Sequence, residues 1–316
     1  MKKILFVIDK LELKYFEFNK LVTNFWMIKE FLQRNFEVFI TTIPQLYLSG
    51  NIAYAKCYES FLTNENIFYK DILYDKEIDS FDLVMFRPDP PVDMNYINAT
   101  YIFDFVKTRV VNSPKAIRNF NEKLHSLYFN EYMSPNIVTS SLNDIESFLK
   151  QHGQIVLKPL NRCFGSGVMY LYDGDPNTHT IINTVTENET ALAMVQKYIP
   201  EVKDGDIRVL TLGDKILPYS IKKLPNKDDF KFNNHSDSFI ADSKLSKSDL
   251  EYFTPIAKKL NSMGIELAGL DVINNKVIEI NVTSPCYFIK EMNNCFNISV
   301  EKMISDYLLT PALLTL

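Results

Sequence analysis

Three polar side chains interrupt two apolar segments near the C-terminal end of the sequence. Asp271 lies in the first segment, Glu279 and Asn281 lie in the second, and Asn274 and Asn275 separate them. Strand alternation puts Glu279 and Asn281 on one face, and the asparagine pair predicts a hairpin turn that brings Asp271 close to them. Two facing carboxylates repel each other unless a cation offsets them, and oxygen ligands with an amide suit Mg²⁺. The stretch predicts a magnesium site; the alternative is a solvated hairpin face whose carboxylates pair with lysines.

The register of this hairpin depends on the length of its loop. A three-residue loop would place Asp271 directly opposite Glu279, whereas a two-residue loop would shift the pairing by one residue and leave the two carboxylates diagonal. Both arrangements keep the carboxylates close together, so the metal prediction holds for either loop.

Basic residues elsewhere could hold a polyphosphate. Lys158 lies in an apolar strand and is followed by "NRCFGSG", which contains Gly165 and Gly167 from only nine glycines in the chain. A lysine and the backbone N–H groups of a glycine loop can bind phosphate oxygens. Arg208, in "DGDIRVL", lies in a predicted strand where an unpaired guanidinium would be costly, so a phosphate or carboxylate partner is expected. Lys123, in "NEKL", fits an exposed helix lysine when taken by itself.

The N-terminal part of the chain predicts a parallel sheet. "KILFVID" and "FEVFITTI" have the pattern of buried strands, and "FNKLVTNFWMIKEFLQRN" between them has helical spacing, which makes a β-α-β unit. "FDLVMF" is a further strand that leads into "RPDPP", an extended loop at the edge where open α/β sheets bind ligands. The next segment predicts a short strand, a turn at Ser113–Pro114 and a helix around 121–129.

A second unit follows. "SSLNDIESFLKQHG" predicts a helix with a serine cap and a glycine stop, and "QIVLKPL", "VMYLYD" and "ALAMVQKYI" predict strands. A hairpin pair, "DGDIRVLTLGDKILPYSIKKL", and a helix, "SKSDLEYFTPIAKKLNSMG", precede the carboxylate hairpin. The polar segment "PNKDDFKFNNHSDSF" is typical of a long loop or lid.

Composition narrows the class of protein. The 316 residues carry a net charge of −5, so no basic excess is present to neutralise nucleic acid. The apolar run of "MKKILFVI" stops at Asp9, too short for a secretory signal, and no window is long enough for a transmembrane helix. The four cysteines show no paired spacing and are expected to be thiols in a cytoplasmic protein. The first β-α turn lacks a glycine fingerprint, which argues against an NAD-linked oxidoreductase.

Several segments together resemble bacterial glutathione synthetase, a family of ATP-grasp ligases, over nearly the whole chain. The matching segments, in order, are "FRPDPPVDMNYINATYI", "NSPKAIRNFNEKL", "IVLKPL", "DGDPN", "QKYIPEVKDGDIRVL" and "GLDVINNKVIEINVTSP". The resemblance implies an α/β protein in which two α+β subdomains of an ATP-grasp fold grip ATP, preceded by a Rossmann-like parallel-sheet domain. It implies a substrate domain at 1–121, a central subdomain at 122–200 and a C-terminal subdomain with the metal site at 201–316.

The resemblance also implies a role for each matched position. The implied ATP-binding residues are Lys123, Lys158, Gly165, Gln196, Lys197, Tyr198, Ile199 and Arg208. Asp271, Glu279 and Asn281 would hold two Mg²⁺ ions, with Mn²⁺ as a possible substitute. Arg208, Lys231 and Asn233 would act in catalysis. Arg87, Asp89, Thr283 and Ser284 would face the peptide and amine substrates.

The implied reaction joins γ-glutamylcysteine to glycine through an acyl phosphate, with ATP as co-substrate, small molecules as the only substrates and a homo-oligomer as the assembly. The chain departs from the family pattern in "NRCFGSG" and in the lid, where Lys231 stands at an arginine position. Lysine cannot form the bidentate fork of arginine. Two alternatives therefore stay open: a related ligase that joins a different peptide or amino acid, and a nucleotide-binding protein with weak catalysis.

Overall fold

The computed structural model describes residues 2–9, 22–163, 165–224 and 240–310, with the backbone alone at 240–242. The N-terminal part is a seven-stranded sheet in which β2, β1, β6 and β7 are parallel neighbours. Strand β4 pairs antiparallel with β2, and β3 and β5 flank β4. The strands are β1 (Lys3–Ile8), β2 (Glu37–Thr42), β3 (Leu46–Ser49), β4 (Ile52–Thr63), β5 (Asn66–Glu77), β6 (Leu83–Phe86) and β7 (Val110–Val111).

Both faces of this sheet are covered, which explains why β1 is almost continuously apolar. Phe6 packs in one core cluster with helix α1 (Thr23–Gln33). Leu5 packs in another cluster with α2 (Met94–Ile102) on the opposite face. The parallel β-α-β unit predicted for this part of the chain is confirmed.

The prediction around Ser113 is wrong in detail. Pro114 is the first residue of a short helix, α3 (Pro114–Arg118), and the Ser113 side chain caps it by accepting from the Ala116 N–H. Proline is tolerated at this position because the first helical N–H needs no partner. The helix expected around 121–129 is instead a run of 3₁₀ turns over Leu124–Tyr132, broken at Phe129.

A four-stranded antiparallel sheet lies in the middle of the chain, in the order β10-β9-β11-β8. Helices α4 (Leu142–His152) and α5 (Thr178–Val185) cover one face. Lys158 and Gln196 belong to the opposite face, because their side chains alternate with core residues of the same strands. The strands are β8 (Asn136–Thr139), β9 (Gln154–Pro159), β10 (Met169–Tyr172) and β11 (Ala193–Lys197).

The last sheet is antiparallel, in the order β15-β14-β12-β16-β17, with β13 beside β12. Helix α6 (Lys247–Ser262) covers its apolar face, and α7 (Ile289–Phe296) and α8 (Val300–Leu309) pack into the core shared with α1. The strands are β12 (Asp206–Leu212), β13 (Lys215–Ile216), β14 (Tyr219–Lys223), β15 (Ile240–Lys244), β16 (Gly269–Ile273) and β17 (Lys276–Asn281). Across the described ranges, no helix is both long and apolar enough to span a membrane.

Candidate active site

The carboxylate hairpin combines a short loop with direct pairing of its acids. Its turn contains two residues, Asn274 and Asn275, with φ angles of 47° and 58°. Ile278 is an extra residue in β17, so a β-bulge shifts the register and places Asp271 opposite Glu279. We expected direct pairing only from a three-residue loop; the bulge supplies the extra residue within the strand instead.

Asp271 accepts four hydrogen bonds. Its Oδ1 accepts from Arg208 Nε and Lys223 Nζ, both at 2.8 Å. Its Oδ2 accepts from Arg208 Nη2 at 3.1 Å and from Asn281 Nδ2 at 3.0 Å. Burial opposes ionisation of Asp271, but Arg208 and Lys223 outweigh it and hold the pKa of this carboxyl well below its ordinary value. The expected partner of the Arg208 guanidinium is therefore this carboxylate in the protein without nucleotide.

Lys223 extends the network to a second acid. Its Nζ lies 2.5 Å from Asp206 Oδ2 as well as 2.8 Å from Asp271. Asp206, Lys223, Asp271 and Arg208 thus form a buried series of alternating charges. Neither Asp206 nor Lys223 was predicted; the available signal was that Asp206 lies two residues before Arg208 and shares its face. A Cβ at Gly269 would lie 3.0 Å from the Arg208 side chain, so any other residue there would require Arg208 to shift.

Two lysines reach this hairpin from other elements. Lys123 Nζ lies 3.1 Å from Glu279 Oε1 and donates to the Arg162 carbonyl at 2.6 Å. It is buried, which rules out an exposed helix lysine. Lys158 Nζ donates to the Ile278 carbonyl at 3.0 Å, so it bridges the central sheet and β17. Burial lowers the pKa of Lys158 to about 8.

The face of the central sheet that carries Lys158 has a polar group without a partner. Gln196 is buried, and its Nε2 finds no hydrogen-bond partner among the described residues. The Tyr198 ring contacts the Tyr170 ring at a centroid distance of 4.9 Å. The Lys197 side chain is exposed, and its N–H donates to the Pro135 carbonyl.

Two further predicted ATP-binding residues lie at the margins of this region. Ile199 precedes a 3₁₀ turn at Pro200–Asp204. Gly165, in the glycine loop, has φ 70°, a conformation that favours glycine.

The predicted substrate residues come together although they are far apart in sequence. Arg87 is buried and donates to Asn24 Oδ1 at 2.6 Å and to the Pro285 carbonyl at 3.0 Å. Ser284 donates a hydrogen bond to Asp89, and burial raises the pKa of Asp89. The loop after β6 is thereby joined to the segment that follows the metal hairpin.

Thr283 is directed towards an acid that was not predicted. Its hydroxyl and its N–H both donate to Glu122 Oε1 at 3.1 Å, and the Val282 N–H donates to the same oxygen at 2.7 Å. The only signal for Glu122 in the sequence was its position immediately before Lys123. Lys231 and Asn233, the other two predicted catalytic residues, lie outside the described residues.

The oxygen ligands of the hairpin fit a magnesium ion whose other ligands come from a nucleotide and water. No group of three or more His, Cys, Asp or Glu side chains able to hold a metal occurs in the described residues. Asp271, Glu279 and Asn281 supply two carboxylates and one amide. Mg²⁺ is commonly bound by one or two carboxylates together with water and substrate phosphates, so this set is sufficient.

Comparison with known proteins identifies the fold. D-cycloserine synthetase DcsG has the same fold, with a TM-score of 0.68 at 13% identity, covering 96% of this chain and 98% of that one. D-alanyl-alanine synthetase A of Vibrio cholerae also matches, with a TM-score of 0.63 at 11% identity and 99% coverage of both chains. The central and C-terminal sheets meet where Lys158 donates to the Ile278 carbonyl, and the region between these sheets is called the cleft below. The match of residues 122–297 to an ATP-grasp domain shows that the chain is an ATP-grasp ligase.

The particular family follows from closer relatives. Residues 2–118 match the N-terminal domain of prokaryotic glutathione synthetase, and residues 122–297 match its ATP-grasp domain. Glutathione synthetase of Neisseria meningitidis serogroup B is 34% identical over 318 residues, 97% of this chain and 98% of that protein. The enzyme of Vibrio vulnificus strain YJ016 is 32% identical, over 90% of this chain. The chain belongs to the prokaryotic glutathione synthetase family, whose members use ATP and a divalent metal.

Proposed function

We propose that this chain activates the cysteinyl carboxylate of γ-glutamylcysteine and joins it to the amine of glycine, with conversion of ATP to ADP and phosphate. The observation that carries the proposal is the meeting of Lys123, Lys158 and Arg208 around the Asp271–Glu279 pair. Three cations beside two carboxylates suit a metal-bound triphosphate.

The reaction has two steps. The cysteinyl carboxylate of the dipeptide attacks the γ-phosphorus of ATP, which forms an acyl phosphate and releases ADP. The glycine amine then attacks the acyl carbon, the C–O bond to phosphate breaks, and the amine gives up a proton as the amide forms. Atoms and charge balance with ATP as the only co-substrate.

The residues of this chain would act mainly on charge. A carboxylate and a triphosphate repel each other, so the first step needs cations near the transferred phosphoryl group. Lys123, Lys158 and Arg208 would bind phosphate oxygens. Asp271, Glu279 and Asn281 would hold two Mg²⁺ ions, which offset negative charge on the phosphates when bound. Mn²⁺ could replace them.

The remaining assignments concern the two ends of the cleft. The Gln196 Nε2, which has no partner among the described residues, would donate to a ring nitrogen of adenine, and the Tyr198 and Tyr170 rings would line the adenine site. Gly165, Lys197 and Ile199 complete the proposed nucleotide site. Asp89, Arg87, Thr283 and Ser284 would orient the dipeptide and glycine, and Lys231 and Asn233 would act from the segment that follows β14.

A direct test is ADP release by the purified chain with Mg²⁺, γ-glutamylcysteine and each amino acid in turn. The proposal expects turnover with glycine well above the rate without an amine, and a product with the mass of glutathione. Turnover with another amine and none with glycine would assign a different ligase reaction. ATP binding without turnover in any combination would favour the catalytically weak alternative.

Three broader assignments accompany the proposal. We place the protein in the cytoplasm and expect a homo-oligomer, as the family resemblance implies. The domain boundaries at 121/122 and 200/201 are likewise proposals. Size-exclusion chromatography with light scattering measures the assembly, and limited proteolysis with mass spectrometry locates the boundaries.

A further inference from the structure

Glu122 is a charged residue to which nothing so far assigns a task. Its Oε1 accepts three hydrogen bonds from the segment after β17: one from the Val282 N–H and two from Thr283. Its backbone carbonyl accepts a fourth bond, from the Ile280 N–H at 3.3 Å. Residue 122 therefore holds the end of β17 through both its main chain and its side chain.

The residues on either side of Glu122 reach different parts of the cleft. Asn121 donates to the Leu160 carbonyl, just before the glycine loop, at 3.0 Å. Lys123 lies against Glu279 and donates to the Arg162 carbonyl. The three-residue segment 121–123 thus connects the glycine loop, the metal hairpin and Thr283.

The position is an unfavourable one for a carboxylate. Burial and the nearby Glu279 raise the pKa of Glu122, whereas the N–H donors of Val282 and Thr283 act in the opposite direction. A carboxylate next to another carboxylate costs free energy. The three donors that converge on one oxygen offset this cost, because hydrogen bonds to ionised acceptors are stronger than neutral ones.

We propose that Glu122 is a positioning residue that holds Thr283 in a fixed relation to Lys123, and so couples the acceptor side of the cleft to the nucleotide side. The acceptor half of this inference rests on the proposed function. Glu122 acts through Thr283 and Lys123 and has no contact of its own with a reacting atom. Loss of its oxygen would release Thr283 from the segment that carries Lys123, and an amide oxygen in the same place would retain it.

The test compares Glu122→Ala and Glu122→Gln by calorimetric titration with ADP and Mg²⁺, which needs no acceptor substrate. Glu122→Ala is expected to weaken ADP binding on the order of 10-fold, because donors lose their charged acceptor. Glu122→Gln should stay within about 3-fold of the parent chain, since its amide oxygen still accepts. In the active enzyme, the KM for the dipeptide should rise in Glu122→Ala with a smaller change in kcat.

A double-mutant cycle tests the coupling itself. Thr283→Val removes the hydroxyl donor, and it should weaken ADP binding in the parent chain but cause little further loss in Glu122→Ala. Glu266→Ala is the matched control for Glu122→Ala. The Glu266 carboxylate accepts from Arg109 at 2.6 Å and from Tyr307 at 2.8 Å, outside the cleft. This control should lower the melting temperature and leave ADP affinity unchanged.

The outcomes distinguish a positioning role of Glu122 from a purely structural one, and they distinguish both from the proposed function. If Glu122→Ala lowers only the melting temperature, as the control does, Glu122 is a structural residue and the inference is overturned. Additive effects in the cycle would overturn the coupling, and equal losses in the Ala and Gln variants would overturn the acceptor role. If the parent chain shows no turnover with γ-glutamylcysteine and glycine, the proposed function fails, and the ADP titrations still decide the role of Glu122.

Discussion

The C-terminal sheet and the central sheet, which face each other across the cleft, differ in whether their polar side chains have partners. On the C-terminal sheet, Asp206, Lys223, Asp271 and Arg208 neutralise one another. On the central sheet, the Lys158 ammonium donates to the Ile278 carbonyl, and the Gln196 Nε2 has no hydrogen-bond partner among the described residues. A ligand must displace existing partners on the first sheet, whereas it supplies missing partners on the second. The first sheet is thereby stabilised before binding, and the second bears a cost that binding removes.

The largest expected effect comes from breaking the network of charged side chains on the C-terminal sheet. Asp271→Asn should reduce Mg²⁺-dependent ADP formation at least about 100-fold, because it removes a metal ligand and the counter-ion of Arg208. It should also lower the free energy of unfolding by about 3 kcal/mol, since two buried cations lose their charged partner. Turnover and urea denaturation measure the two effects. A variant with near-normal turnover would remove Asp271 from the metal site.

Metal binding offers a second way to test the charge network of the C-terminal sheet. All four hydrogen bonds to Asp271 come from protein groups, so a metal ion alone must compete with Arg208 and Lys223. Mn²⁺ binding, followed by electron paramagnetic resonance, should be at least about 10-fold weaker without ADP than with it. Equal affinity in the two conditions would show that the ion pairs do not mask the carboxylate.

Lys158 on the central sheet predicts that the KM for ATP depends on pH. The pKa of Lys158 is lowered to about 8, so its positive charge is lost as the pH rises through that value. The KM for ATP should be nearly constant below about pH 7 and rise several-fold by about pH 9, because phosphate binding requires the cation. Lys158→Arg should flatten this rise, since guanidinium stays protonated. A rise of equal size in Lys158→Arg would assign the titration to another group.

Rising pH weakens ATP binding through Lys158, but the same lowered pKa makes the folded protein more stable as the pH rises. Between about pH 8 and the ordinary lysine value of 10.5, the unfolded chain keeps the Lys158 proton that the folded protein has released. The contribution of Lys158 to the free energy of unfolding therefore increases with pH across this window. Comparison of the parent chain with Lys158→Met in denaturant titrations at pH 7.5 and 9.5 would isolate it.

The smallest expected effect concerns Gln196. Gln196→Met removes a buried donor that has no partner in the described part of the chain, and it should raise the free energy of unfolding of the ligand-free protein by about 1 kcal/mol. It should also weaken ATP binding a few-fold. Ser305→Ala is the control, because Ser305 Oγ on α8 is likewise buried without a partner in the described residues. The control should stabilise the protein and leave ATP binding unchanged.

Much of the fold was predictable because it depends on local pattern. Strand β1, helix α4 with its Ser141 cap and Gly153 end, and the carboxylate hairpin all follow from periodicity and turn residues. The region around Ser113 was predicted incorrectly because a proline can begin a helix as readily as a turn. The Ile278 bulge was also missed, because the asparagine pair specifies the turn and says nothing about an extra residue farther along the strand.

The residues of the candidate site likewise fall into those that the sequence identified and those that it missed. Asp271, Glu279, Asn281, Lys158 and Arg208 were identified because a charged or amide side chain in an apolar strand is unusual and invites a chemical reason. Lys223 and Glu122 were missed, since lysine at a strand end and glutamate beside a lysine are ordinary in sequence. Their importance appears only from partners 48 and 161 residues away.

By itself, the sequence determined the order of strands and helices outside the region around Ser113, the family, and the residue types that can bind metal and phosphate. These depend on patterns within short segments and on motif order along the chain. The tertiary structure alone decided which charges neutralise one another, which polar groups lack a partner, and how Glu122 joins the two sides of the cleft. Such pairings depend on register and on the approach of separate sheets, which no local pattern specifies.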